Sequence, residues 1–162
     1  LAAGPAAVNL GLAGNYAVLA ESGITTTPTS YVGGNIGISP ATEAAITGFA
    51  ITHTNGAPSG SSPYVSGSVF ASDYGSPTPA NLVTAVDNKL TAYNDAQGRA
   101  TTAANTNLGA SGDIGGLTFT PGVYKYTTGV TVSTDVVLSG ACGDTFIFQI
   151  SLVPGPQNVI FR

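Results

Sequence analysis

The sequence predicts a mainly β fold of short strands with one long α-helix. Three observations predict it. Short runs of alternating apolar and small polar residues recur along the chain, each bounded by Gly, Pro, Ser or Asn. One stretch only carries apolar residues at helical period. No helical pattern separates the C-terminal strands, which excludes a doubly wound α/β sheet and leaves a sandwich, a barrel or a solenoid.

The elements follow in order. From Val8 to about Ala71 the β-type runs are "YAVLAESGIT", "YVGGNIGIS", "AITGFAIT" and "YVSGSVFA". The stretch "THTNGAPSGSSP", 52–63, is so rich in turn formers that it reads as a flexible loop. The helix comes next, over about 79–97, in "SPTPANLVTAVDNKLTAYNDAQGRA". Thr78 is placed as N-cap and Pro79 at the first helical position. Leu82, Val86, Leu90 and Tyr93 form its apolar stripe, and Gly98 its C-terminal stop. At ~1.5 Å per residue it is roughly 28 Å long. From Gly109 onward short strands return as "LTFT", "GVYKYTT", "VTVST", "VVLSG", "TFIFQIS" and "NVIF".

A helix of that length spans about six strand spacings of ~4.8 Å, enough to buttress stacked rungs along their axis. Thr-rich, small-residue strand faces suit stacking as well. Pattern and composition alone keep both the solenoid and the sandwich open.

Composition narrows function. Of the 162 residues only 7% are charged, against roughly 25% in an average soluble domain. No stretch approaches the ~20 continuous apolar residues of a spanning helix, so no membrane partner is expected. Net charge is −4, and Lys89, Arg99, Lys125 and Arg162 are scattered, so no nucleic acid is expected either. Cys142 is the single cysteine, which rules out an internal disulfide and a zinc cluster, and it reads as a buried or idle thiol rather than a nucleophile. The opening "LAAGPAAVNL" has no basic region leading into an apolar core; its small residues suit a mature chain after leader removal, hence a secreted protein.

Several segments together resemble one family. "AVNLGLAGNYAVLAESGIT", "NIGISPA", "ASDYGSPTP", "LTAYNDAQG", "LTFTPGVYKYTTGVTV" and "DTFIFQI" occur in order over nearly the whole chain. They are similar to the secreted ice-binding (antifreeze) proteins of cold-adapted fungi, bacteria and diatoms. The resemblance implies an irregular right-handed β-solenoid of triangular cross-section, with the long helix along its side. It implies ice and ordered water as partner, no cofactor, no metal and no catalytic chemistry. The whole of 1–162 then reads as one ice-binding domain.

The family's ice-facing element is Thr-(Ala/Gly)-x-(Thr/Asn). Thr128-Gly129-Val130-Thr131 fits it in full, and Ser22-Gly23-Ile24-Thr25 fits with Ser first. Ser39, Ser66 and Ser68 are carried over as further members of that face. Family members continue past the "FIFQI" strand with more rungs, whereas here "LVPGPQNVIFR" follows. Weaker ice binding and self-association at an open solenoid end are therefore expected.

The chemistry suits that target. A stacked β face repeats at ~4.8 Å across strands and roughly 6.6 Å along them. Threonine, stiff at χ1, pairs a methyl with a hydroxyl on such a grid. Lys or Glu would instead disorder the adjacent water.

Rival functions are an enzyme and an extracellular adhesive or carbohydrate-binding module. The acids Glu21, Glu43, Asp73, Asp87, Asp95, Asp113, Asp135 and Asp144 show no paired arrangement with a basic group, and His53 is the single histidine. Asp113 and Asp144 read as turn caps, with no calcium-loop pattern around them. Sugar recognition needs exposed aromatic rings. Tyr16, Tyr93, Phe146 and Phe148 fall at core positions, which leaves Tyr31 and Tyr64. A flat Thr/Ser/Ala face would favour ice, and a groove with an exposed Tyr would favour sugar.

Overall fold

Val18, Ile36 and Val69 stand side by side although far apart in the chain, and this parallel pairing organises the first half of the molecule. The structure is a computed structural model and describes residues 4–27 and 30–151. The predicted "NVIF" strand lies outside the described residues.

Two compact units form. One spans Asn9–Tyr93 and the other joins Leu1–Val8 to Asn94–Arg162. In the first, β1 (Val18–Ala20), β3 (Ile36–Ile38) and β5 (Val69–Ala71) make a three-stranded parallel sheet in the order β1-β3-β5. β2 (Ile24–Thr25) and β4 (Ile46–Thr47) make a second parallel pair, and Val32 bridges Val65 in a third parallel pairing. The chain thus meets the same three ladders in the same order on successive passes. Ile24, Ile36, Ile38, Ile46, Phe49, Val65 and Val69 point inward from all three and are buried. Parallel neighbours with inward β-branched side chains let like residues stack, which is the packing such strands favour.

The second unit repeats the scheme. β6 (Thr118–Phe119) pairs with β8 (Val137–Leu138), and β7 (Gly122–Tyr126) with β9 (Phe146–Ile150), both in parallel. Asp113 bridges Thr131 as a further parallel contact. Phe119 is the centre of this core, edge-on to Tyr124 at 4.8 Å and to Phe148 at 5.1 Å. Among the described residues no sheet closes into a barrel, and every pairing between named strands is parallel. The expected "VTVST" strand is reduced to the single bridge at Thr131.

The helix α1 runs Thr78–Gly98, within a residue of the expected bounds, but its caps and buried face differ. The Thr78 hydroxyl donates to the Pro58 carbonyl instead of capping the first turn, and Thr78 is buried. The buried positions are Thr78, Leu82, Ala85 and Ala92, whereas Leu90 and Tyr93 of the expected stripe are exposed, as is Val83. Leu82 packs closely on β3, where a Cβ on Gly37 would come within 3.0 Å of its side chain. At the C-terminus Gly98 does not take the left-handed conformation of a C-terminal stop. The buried Gln149 amide of β9 caps instead, reaching the carbonyls of Ala96 and Arg99 at 2.8 Å.

The 52–63 loop is pinned. Thr52 and Ser61 exchange backbone hydrogen bonds at 2.9 and 3.0 Å. The His53 ring stacks on Tyr74 at 3.7 Å, and its Nδ1 faces Glu43 Oε2 at 3.6 Å. Tyr74 donates to the same carboxylate at 2.7 Å. Burial, and then this carboxylate, hold the Tyr74 phenol well above its ordinary pKa, so it stays a donor.

Candidate functional site

In β2 and β4 one residue of each pair points in and the other out. Ile24 and Ile46 are buried while their neighbours Thr25 and Thr47 are exposed. Strand periodicity makes this unavoidable once the isoleucines enter the core. The parallel register sets Thr25 directly beside Thr47, with their hydroxyls 2.9 Å apart in a hydrogen bond. Gly23, two residues before Thr25, is exposed, whereas Ala45, two before Thr47, ends a 3-10 turn (Glu43–Ala45) and is half-buried against the core. Gly48, at φ +83°, follows Thr47, and a Cβ on it would lie 2.2 Å from the Thr26 carbonyl oxygen. The close approach of the two strands therefore depends on that glycine.

The carboxylates nearest in sequence are paired. Glu21 and Glu43 each stand four residues before a ladder threonine, yet both are engaged elsewhere. Lys89 Nζ binds the Glu21 carboxylate, and Tyr74 and His53 bind that of Glu43.

Of the residues singled out from the sequence, Ser22, Gly23 and Thr25 lie on or next to this ladder and are exposed. Ser39 is buried at 4% exposure and does not reach the surface, because its backbone N–H is drawn to Ala20 O at 3.0 Å at the end of β3. Ser66 is exposed beside the Val32–Val65 bridge, and Ser68 is half-buried with its N–H held by Asn35 Oδ1 at 2.9 Å. These two are not on the Thr25–Thr47 ladder. Thr128, Gly129 and Thr131 are exposed in the other unit.

Thr131 has an acidic neighbour. It pairs with Asp113, whose carboxylate accepts from Gly115 N at 2.9 Å, Ser133 N at 3.1 Å and Ser133 Oγ at 2.5 Å. These bonds, the Ser133 hydroxyl first and the backbone donors after it, hold the Asp113 carboxyl below its ordinary pKa of 3.8. A depressed folded-state pKa gives stability that is present above the ordinary value and is lost as pH falls through the folded value. Thermal melts of wild type should therefore fall off below pH 3.8 more steeply than those of Asp113→Asn. Parallel curves would mean that the turn does not depend on the carboxylate.

Sequence reasoning missed Thr47. A signal was present: Glu21-Ser-Gly-Ile-Thr25 and Glu43-Ala-Ala-Ile-Thr47 share the pattern E-x-x-I-T with small residues between. The ice-facing element opens on a hydroxyl residue, Thr128 or Ser22, and "AAIT" opens on alanine.

The profile of the ice-binding-like family matches residues 18–153. An ice-binding protein of Flammulina populicola is 47% identical over 93% of this chain, which covers 60% of that protein. One of Lentinula edodes is 52% identical over 88% of this chain and 49% of its own length. The chain thus spans about half or somewhat more of these curated relatives. Among solved structures, a glycosylated ice-binding protein from an Arctic yeast superposes with a TM-score of 0.82 at 38% identity, over 93% of this chain and 69% of that one.

Proposed function

This chain belongs to the ice-binding-like family, and from that premise we propose that it binds ice and restrains crystal growth and recrystallisation. The observation that carries the reading is the Thr25–Thr47 pair: two exposed threonines in register, hydroxyl to hydroxyl, with exposed Gly23 nearby and the nearest carboxylates engaged. We take Gly23, Thr25 and Thr47 as the ice-facing set, with Ser22 at its rim. Thr128, Gly129 and Thr131 form a second set, less suited because Asp113 lies beside Thr131.

The fold underlying this reading is one irregular right-handed solenoid domain of triangular cross-section. The three recurring parallel ladders of the first unit support it, as does the likeness to the yeast protein. Secretion belongs to the same reading, since ice is met outside the cell; among the described residues no helix is long and apolar enough to cross a membrane.

A recrystallisation assay at equal protein concentration tests the proposal, comparing this chain with a non-binding protein and with Thr128→Tyr plus Thr131→Tyr. Wild type should keep ice grains small, and the double variant should retain most of that effect. A folded wild type that leaves grain growth unchanged would remove ice binding from this chain.

A further inference from the structure

The second feature of interest is a cleft of about 340 Å³ lined by Leu12, Asn15, Tyr16, Asn35, Phe70 and Asn81. Its floor is aromatic. The Tyr16 ring lies on β3 at Gly37, where a Cβ would come within 2.7 Å of it, and meets Phe70 edge-on at 5.7 Å and 85°. Its rim is carboxamide. Asn35 is fixed, donating to Asn15 O and accepting from Ser68 N, both at 2.9 Å. The side chains of Asn15 and Asn81 have no hydrogen-bond partner among the described residues and are exposed.

The walls are held in place before any ligand arrives. Asn15 ends a short 3-10 turn, Gly11–Asn15, which is tied to α1 because Leu12 N donates to Asn88 Oδ1 at 2.8 Å. Asn81 sits on the first turns of α1 itself. No lining residue carries a charge, so an ionic ligand has no counter-charge there.

We propose that this cleft holds one ring of a neutral carbohydrate. Apolar C–H faces of a pyranose suit the Tyr16–Phe70 corner, while neighbouring hydroxyls suit carboxamides, which offer a donor and an acceptor together. The volume lies in the range of small-ligand sites, which begins at about 300 Å³. The site is built on the β1-β3-β5 sheet and α1, whereas the threonine pair is on β2-β4, so the inference goes beyond ice binding and does not depend on it.

The test is a titration of isotope-labelled protein in liquid solution with methyl α-glucoside and with cellobiose, followed by amide chemical shifts, with glucuronate as the charged control. Saturable shifts confined to Asn15, Asn35, Phe70 and Asn81 are expected with the neutral sugars, at a dissociation constant on the order of 1 mM. A stronger response to cellobiose assigns a ring within a glycan chain, and an equal response assigns a single sugar. Asn81→Ala, an exposed helix position where alanine is well tolerated, should weaken binding about tenfold. The same variant should match wild type in the ice assay, which separates failure of one reading from failure of the other. No saturable shift up to the solubility of both sugars overturns the inference. So does an unchanged constant in a folded Asn81→Ala and a folded Asn15→Ala, or binding of glucuronate equal to that of the glucoside.

Discussion

Thr25→Tyr combined with Thr47→Tyr is expected to abolish inhibition of ice growth while leaving the protein folded. Both side chains project from the strand face away from the buried Ile24 and Ile46, so their replacement disturbs no core contact. What it removes is flatness. Two phenol rings side by side would hold an ice surface away from Gly23 and destroy the hydroxyl pair at 2.9 Å. The concentration needed to restrain recrystallisation should rise at least about tenfold, the equivalent of ~1.4 kcal/mol of lost adsorption. Circular dichroism and melting temperature should stay close to wild type, because tyrosine is well accepted in strands. Activity that survives in the folded variant would move the working face elsewhere, with Thr128 and Thr131 next in line.

Gly48→Ala should act on the same ladder through stability. Alanine at φ +83° is strained, and its Cβ would have to share space with the Thr26 carbonyl oxygen 2.2 Å away. The obstacle is backbone, so relief requires β2 and β4 to separate. That breaks the hydrogen bond from Thr26 N to Thr47 O, now 3.1 Å, and exposes Ile24 and Ile46. We expect a loss of about 3 kcal/mol or more, and a melting temperature lower by roughly 10 °C for a chain of this size. Loss of ice activity should accompany it even below the melting point, since the threonine spacing goes with the ladder. A variant as stable as wild type would show that the strands do not approach as closely as described.

The location of the strands was legible because their signals are local. Alternation in "AVLA", "NIGIS" and "FIFQI", with Gly, Ser and Pro at the breaks, reports burial and turns within a few residues. The helix was legible on the same ground, and its bounds came within one residue. Its buried face was not. Leu90 and Tyr93 are large apolar residues yet stand exposed, while Ala85 and Ala92 are buried beside Leu82, and the helical spacing alone does not say which face the core will take. The same holds for Gln149. Nothing near it in "FIFQI" says that its amide will find three carbonyls of a helix end some fifty residues earlier.

The candidate site divides in the same way. By itself the sequence determined that this is a β-rich chain with an uncharged, threonine-bearing surface and one helix, and it carried the family likeness that points to ice. Those properties are sums over local choices of residue. Only the tertiary structure decided that Thr25 meets Thr47, that Ser39 is buried, that Thr131 has Asp113 for a neighbour, and that Tyr16, Phe70 and three asparagines share a cleft. Each of these depends on which strand lies beside which and at what register. Parallel pairing across long connections is settled by the packing of the whole core, so it leaves little trace in any short window of sequence.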